Sequence, residues 1–422
     1  MSDNACDGLL RPYTSPAEVV RVIETLTAAQ EALARLSVFD IVNGIDAAIH
    51  HLQQESGVAD EGAPFSQWTR PALLHLLEES LGDPALLDGF RPMGRGGGRT
   101  RAFGPRSIAH ILPGHVPDVV IVSLISALLV KSASLARVSA TAPTGMERER
   151  LPARFVRALA ATQPVLAACC ALVTWEHEHT AITKAAFEQV EMVIAYGRDE
   201  TIAALRPLIP QKTPVLFHGH KVSFGVMSRE SLSPETASLA ASDVVTHDQR
   251  GCLSPHLYYV ESGGEVTPLT AAAWIAASLD VACRTRPIQI SPVEASQIWQ
   301  WRGALPLKGG HVFQGATGLD WTVLYDPDPT FRISPQGRTV WVKPVDDLRH
   351  IPTYLAPMRP YLQAAGVAIP AGRSAEMAAA LAEAGVFRIC PIGAMQKPPL
   401  TWHHDGRFRL LDLLRFVDWE VA

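Results

Sequence analysis

The sequence predicts an α/β protein: a doubly wound parallel sheet, a second α/β domain after it, and a helical portion in front. Three observations carry that class. From residue 108 onward, short apolar runs alternate with amphipathic stretches, the pattern of strands joined by helical crossovers. Residues 15–90 instead carry helical spacing with little strand character. The 422 residues are 47% hydrophobic and 19% charged. At about 100–200 residues per domain this allows two or three domains, and the balance rules out a disordered chain.

Ser15-Pro16 supplies an N-cap and a proline at the first helical position. Val19, Ile23, Leu26, Ala29 and Leu33 then recur at helical spacing. The stretch Gly94-Arg95-Gly96-Gly97-Gly98-Arg99 reads as a flexible surface loop, because it matches neither a phosphate loop nor G-x-G-x-x-G. Expected next are a buried strand at 108–112, a buried helix at 119–130, a strand at 135–139 and a short helix at 152–161. A strand at 190–196 and a helix at 199–206 complete the set. Cys169-Cys170 is expected inside an alanine-rich helix, as packing. A second set begins with strands at 214–217 and 222–227. Ser233-Pro234 caps a helix through 241, a strand covers 257–261, and Thr267-Pro268 opens a helix through 279. Ser291-Pro292-Val293-Glu294 carries both an N1 proline and a capping-box glutamate. Strands at 321–325 and 338–342 follow. The last expected helix, 375–384, has Ser374 as N-cap and Gly385 as its left-handed stop. The implied division is a helical portion at 1–90, a domain at 91–214, another at 215–385 and a C-terminal segment at 386–422.

Acidic residues number 42 and basic residues 37, a net charge of −5. That excludes a concentrated basic field for nucleic acid. The six cysteines, at 6, 169, 170, 252, 283 and 390, form no C-x-x-C pair and no disulfide framework. The first ten residues carry Asp3 and Asp7 and no apolar h-region, unlike a secretory signal. The longest apolar run, 119–130, is about half a membrane span. A reducing, cytoplasmic setting and no membrane span are the expectation. The His218-x-His220, His177-x-His179, His50-His51 and His403-His404 pairs lack H-E-x-x-H spacing, so no metal site is expected. Trp299, Trp301, Trp321 and Trp341 read as core anchors.

The most informative stretch runs from Asp243 to His256. Cys252 follows a glycine and precedes a strand, and Gly251 lets the backbone approach a ligand closely. A cysteine thiolate is intrinsically nucleophilic. A lone cysteine is more often a buried apolar residue, and the flanking pattern decides against that here. Gln249-x-x-Cys252 resembles the Gly-Gln-x-Cys loop of the aldehyde dehydrogenase superfamily, with the glutamine one residue further away. Asp248-Gln249-Arg250-Gly251-Cys252-Leu253-Ser254-Pro255-His256 resembles the cysteine segment of the LuxC-type acyl-CoA reductases. In the same order, the block from His110 to Pro117 is similar to that family's His-x-x-x-Gly-Asn-Val-Pro. Tyr196-Gly197 is similar to its glycine turn. His218-Gly219-His220-Lys221 is similar to the Glu-Leu-Gly-Gly-Lys block of hydrolytic relatives, and Trp402-His403-His404-Asp405-Gly406 to the C-terminal block.

The resemblance implies an aldehyde-dehydrogenase-like fold, with a doubly wound cofactor-binding domain, an α/β catalytic domain and a C-terminal segment returning to the first or serving oligomerisation. It implies reduction of an acyl thioester, such as a fatty acyl-CoA, to the aldehyde. Cys252 would be the nucleophile. His115 stands where the family has an oxyanion-binding Asn, and an imidazole N–H can replace that donor. Counting back from Lys221, the slot of the hydrolytic glutamate holds Phe217, which cannot be a general base. His218 or His220 beside it remains an alternative base. Arg137-Val138-Ser139 takes the place of Lys-Pro-Ser, so Arg137 would pair with the 2′-phosphate of NADPH, with Ser139 beside it and Gly197 at the pyrophosphate turn. An acyl-protein synthetase and a second copy of the chain are implied partners. A reductase of an acyl phosphate or of an acyl-carrier protein, and a silent scaffold of the same fold, are the rival readings.

Overall fold

The computed structural model describes residues 11–55, 67–93, 98–113, 116–138, 146–316 and 318–420. The chain forms two compact units, 1–219 with 399–422 and 220–398. In the first, the order is β1 (Arg11–Pro12), α1 (Pro16–Arg35), α2 (Val38–Glu55), α3 (Arg70–Leu81), β2 (Arg91–Met93), β3 (Gly98–Phe103), β4 (Ser107–Leu112), α4 (Pro117–Leu129) and β5 (Ala133–Val138). Then follow α5 (Met146–Thr162), α6 (Pro164–Ala168), β6 (Cys170–Thr174), α7 (Thr180–Gln189), β7 (Met192–Tyr196), α8 (Asp199–Leu205) and β8 (Val215–His218).

Six of these strands make one sheet in the order β1-β6-β5-β4-β7-β8, with every described pairing parallel. All six positions of β4 are buried, as expected for a central parallel strand covered on both faces. The order reverses between β4 and β7, the topological switch point where ligands bind at the carboxyl ends of such strands. Val19, Ile23 and Leu33 of α1 share one core with Ile108 and Leu135 of the sheet. The helical front is therefore part of this unit, its apolar stripe buried against the sheet's core.

Three sequence expectations are corrected here. Gly98 and Arg99 open strand β3, which pairs antiparallel with β2 and with β16 (Arg415–Trp419), while 94–97 lie outside the described residues. Cys169 is the C-cap of α6 and Cys170 begins β6, so the pair straddles a helix–strand junction. β8 pairs with β7 in the first sheet, not with the second set of strands.

The second unit runs β9 (Val222–Met227), α9 (Pro234–Val245), β10 (Pro255–Glu261), α10 (Pro268–Cys283), α11 (Pro292–Ala304), β11 (His311–Gln314), β12 (Thr322–Tyr325), β13 (Thr339–Val345), α12 (Ile351–Leu355), β14 (Leu362–Ala368), α13 (Ala371–Glu383) and β15 (Arg388–Pro391). Its sheet has the order β11-β12-β13-β10-β9-β14-β15, parallel except for the β11–β12 pair. Tyr258, Val260 and Val342 pack in one apolar cluster, and Leu257, Tyr259 and Trp341 in another. Neighbouring strand residues point to opposite faces, so both faces carry a core. The capping box at Ser291 and Glu294 forms. Helix α13 starts four residues before the expected point, with Pro370 at the cap and Ser374 inside, donating to the Ala371 carbonyl. Trp321 and Trp341 are buried, but Trp299 is 56% exposed and anchors no core.

His110 is fully buried on β4, bonded to the hydroxyls of Ser123 (2.8 Å) and Ser134 (3.1 Å). Burial pushes its pKa from 6.5 down to about 3. The unfolded chain then takes the proton first, so this contribution is intact above pH 6.5 and is lost as pH falls towards 3. At about 1.4 kcal/mol per pH unit, lowering the pH from 6.5 to 5 is expected to destabilise the first unit by ~2 kcal/mol through this group. Denaturant melts at both pH values should show that loss, and His110→Gln should flatten it. An equal loss in the variant would place the acid sensitivity elsewhere.

Candidate active site

Cys252 lies on the loop between α9 and β10. Immediately before it, His247, Asp248 and Gln249 hold φ of 54°, 52° and 63°. Left-handed backbone costs a non-glycine residue roughly 1–2 kcal/mol, and three in a row persist only where surroundings over-determine them. Gln249 supplies most of that constraint. It is fully buried, its amide donates to the carbonyls of Pro255 (2.8 Å) and Thr339 (2.7 Å), and its carbonyl accepts the Thr339 N–H (2.7 Å). Gln249 is therefore a brace to β13. Asp248 accepts from the buried Arg338 at 2.6 Å. Arg250 bonds Glu294 on α11 through two nitrogens.

The Cys252 carbonyl accepts from Ser223 Oγ of β9 (2.7 Å), and that oxygen accepts the Ala364 N–H of β14 (3.1 Å). Two residues on, Ser254 Oγ is bonded by Gln396 (3.1 Å), whose amide also donates to the Asp243 carbonyl. A Cβ on Gly251 would meet only ordinary contacts, the nearest being Ser254 Oγ at 3.4 Å. Protein packing does not itself require glycine there.

The five described cysteines form no disulfide. Four are buried, and burial pushes their thiols up: Cys169 to about 12, Cys390 to about 11, and Cys170 and Cys283 likewise upward. Such thiols are poor nucleophiles. Cys252 is the partly exposed one among the described residues.

In the first unit, two of the remaining sequence candidates are described, Gly197 after β7 and Arg137 on β5. Gly197 follows β7, and its N–H donates to the His218 carbonyl at 3.1 Å. A Cβ there would come within 2.9 Å of Thr201, so the turn into α8 needs glycine. Arg137, near the end of β5, donates from Nη2 to the Trp175 carbonyl at 2.8 Å. Burial lowers its pKa, offset by the charge of Glu176. His115 and Ser139 lie outside the described residues. Phe217 is half-buried on β8 with the Arg206 guanidinium over its ring at 4.8 Å.

The structure adds a cluster that sequence spacing hides. His218 Nδ1 is 2.6 Å from Asp405 Oδ2, across 187 positions. The His218 ring stacks on Tyr196 (4.2 Å) and on His404 (4.5 Å), and His404 stacks on Trp402 (4.9 Å). Asp405 holds φ 54° and Gly406 φ 73°. The register pairing Tyr196 with His218 explains the first stack. The Nδ1–H donates to the carboxylate, which leaves Nε2 as the lone-pair nitrogen of the neutral ring. Ligand atoms of His218, His404 and Asp405 lie within 4.8 Å of one another. Their shortest contact is the 2.6 Å hydrogen bond between His218 Nδ1 and Asp405 Oδ2.

The chain matches the family model described as acyl-CoA reductase (LuxC) over residues 19–416. It is 24% identical over 381 residues to the long-chain acyl-protein thioester reductase of Aliivibrio fischeri, covering 88% of this chain and 77% of that one. It is 22% identical over 354 residues to long-chain acyl-protein thioester reductase 2 of Photobacterium leiognathi, covering 83% and 71%. Among solved structures, the NADP-dependent glyceraldehyde-3-phosphate dehydrogenase of Bacillus halodurans C-125 superposes with TM-score 0.70 at 15% identity, over 97% of this chain and 92% of that one. An NAD-dependent benzaldehyde dehydrogenase of Corynebacterium glutamicum gives 0.66 at 14%, over 96% and 91%. These likenesses establish the aldehyde dehydrogenase fold. With its family match spanning nearly the whole chain, this protein belongs to the LuxC acyl-CoA reductase family.

Proposed function

We propose that the protein reduces a long-chain fatty acyl thioester, with CoA as carrier, to the free aldehyde with NADPH. Cys252 is the nucleophile and forms a covalent acyl-cysteine. The observation that carries this reading is the partly exposed Cys252 thiol on a strained, heavily braced loop, in a chain whose other described thiols are buried. The relatives' names, long-chain acyl-protein thioester reductase, support an acyl thioester as substrate; an acyl-protein synthetase is proposed here as the source of an alternative acyl-protein donor.

The Cys252 thiolate attacks the acyl carbonyl and the carrier thiolate leaves with a proton from solvent. A bound nicotinamide supplies the hydride. The resulting hemithioacetal at Cys252 collapses, its C–S bond breaking to give aldehyde and thiolate. The Cys252 backbone N–H is one donor to the oxyanion, and His115 is proposed as the second. Phe217, a hydrocarbon where hydrolytic relatives carry glutamate, supplies no base to direct water onto the thioester.

Residues 91–214 are proposed to bind the cofactor and 215–385 to carry the chemistry. Arg137, Ser139 and Gly197 would hold the cofactor. Arg137 Nε is buried without a hydrogen-bond partner, so the guanidinium keeps donor capacity that suits a phosphate. Arg137→Gln is expected to raise KM for NADPH about tenfold and leave KM for NADH nearly unchanged. Equal effects on both would remove this role. The test of the whole reading is a panel of acyl-CoA chain lengths with NADPH, followed by loss of nicotinamide absorbance and detection of aldehyde. Carboxylic acid as the main product, or no turnover with any acyl donor, would overturn it; the second outcome would favour the silent scaffold.

A further inference from the structure

We propose that Arg388 is the positioning residue that holds Cys252 in its thiolate form, through the charge of a buried guanidinium rather than through an adjacent histidine base. The inference rests on the reading of Cys252 as nucleophile. Its ground is the convergence of two short chains of contacts on Arg388. On one side, the Cys252 carbonyl is held by Ser223 Oγ, which also binds the Ala364 N–H, and Ala364 is the register partner of Arg388 across β14 and β15. On the other, Arg388 donates to the carbonyls of Met395 (2.7 Å) and Ala394 (2.8 Å), fixing the loop from which Gln396 reaches Ser254. Arg388 is 8% exposed; burial lowers its pKa, and the charges of Cys390, Asp243 and Cys252, in that order, oppose the fall.

A guanidinium remains charged when buried, and low dielectric strengthens its pull on a nearby anion. Electropositive, partly exposed surroundings are those that lower a thiol pKa. The proton lost from Cys252 Sγ goes to solvent, so no other co-reactant is needed.

The other charged groups around the loop are largely matched. Asp248 is paired with Arg338, and Arg250 with Glu294. His256 on β10 is buried, and burial lowers its pKa to about 4, so it is neutral. On α9, Asp243 accepts the Gly393 and Met395 N–H groups, and burial raises its carboxyl to about 7. A half-protonated Asp243 offsets Arg388 only in part. His247 is a competing base nearby, with its ring Cδ2 3.8 Å from where a Gly251 side chain would begin.

The test measures the pH dependence of Cys252 alkylation by iodoacetamide in the full-length protein, read at the Cys252 peptide by mass spectrometry. Wild type is expected to titrate below the usual cysteine value of ~8.5. Arg388→Met is expected to raise that midpoint by about one unit, slowing alkylation at pH 6.5 about tenfold, and Arg388→Lys to restore most of it. Gln396→Ala, which loosens the loop and keeps the charge, is expected to leave the midpoint in place. An unmoved midpoint in Arg388→Met, an equal shift in Gln396→Ala, or a shift confined to His247→Gln would overturn the proposal. Where Arg388→Met loses its cooperative melt, Asp243→Asn decides. Removing the opposing charge should lower the midpoint, and an unchanged or raised midpoint counts against Arg388. Failure of Cys252 to become acylated by acyl-CoA, with the midpoint behaving as described, would overturn the nucleophile assignment and leave this inference standing.

Discussion

Cys252→Ala is expected to abolish aldehyde formation, lowering turnover on the order of 10⁴-fold or more, while the thermal melt stays within about 2 °C of wild type. The loss is large because no other thiol exists on the loop: alanine cannot form the acyl-enzyme, and direct hydride transfer to a bound thioester loses the covalent step. The small stability effect follows from partial exposure, since the thiol contributes little buried area. Cys283→Ala and Cys390→Ala serve as controls and should retain activity, because both thiols are buried and pushed upward in pKa. Turnover is followed by nicotinamide absorbance, and the acyl adduct by mass spectrometry of intact protein. Substantial aldehyde production by Cys252→Ala, or an adduct on another cysteine, would refute the assignment.

Gln249→Leu is the second large effect. The leucine is close in size but removes three buried hydrogen bonds: the Thr339 N–H keeps only its longer bond to the Gln336 carbonyl, and the carbonyls of Pro255 and Thr339 must find other partners. Each buried group left unsatisfied costs about 1–3 kcal/mol, so a loss of roughly 3–5 kcal/mol is expected for the second unit. For a unit of this size that corresponds to a fall in Tm of about 10 °C. Activity should fall further than stability explains, because the left-handed run at 247–249 would relax and carry Cys252 with it. A melt unchanged to within about 2 °C would show that the loop is held by Asp248 and Arg250 instead.

Much of the architecture was legible because it is written in local terms. Proline at N1, the capping boxes and apolar periodicity located α1, α4, α9, α10 and α11 close to where they form. The α/β class followed from strand–helix alternation. What escaped was set by distant pairing. β3 begins in a glycine-rich stretch that reads as a loop, and it is a strand because β2 and β16, the latter over 300 positions away, pair along it. The Cys169-Cys170 run looked helical by composition, and Cys170 joins the sheet because β5 offers its ladder. Val215–His218 sits at the start of the second apolar set in sequence but completes the first sheet beside β7.

The site divides in the same way. Cys252, Phe217, Gly197 and Arg137 are marked by short segments that resemble family blocks, and their roles stand as proposals; Phe217 in the slot of the hydrolytic glutamate is what favours a reductase over a hydrolase. Their energetic setting belongs to the tertiary structure. Gln249 looks like part of a motif, but its function as a brace depends on β13, ninety positions on. The His218–Asp405 pair spans 187 positions, and Arg388 is linked to the Cys252 loop through β9, β14 and the turn at 394–397. Local chemistry is a property of a residue and its near neighbours. Hydrogen-bond satisfaction, burial and the field at a thiol are properties of the packed whole, so only the fold could decide them.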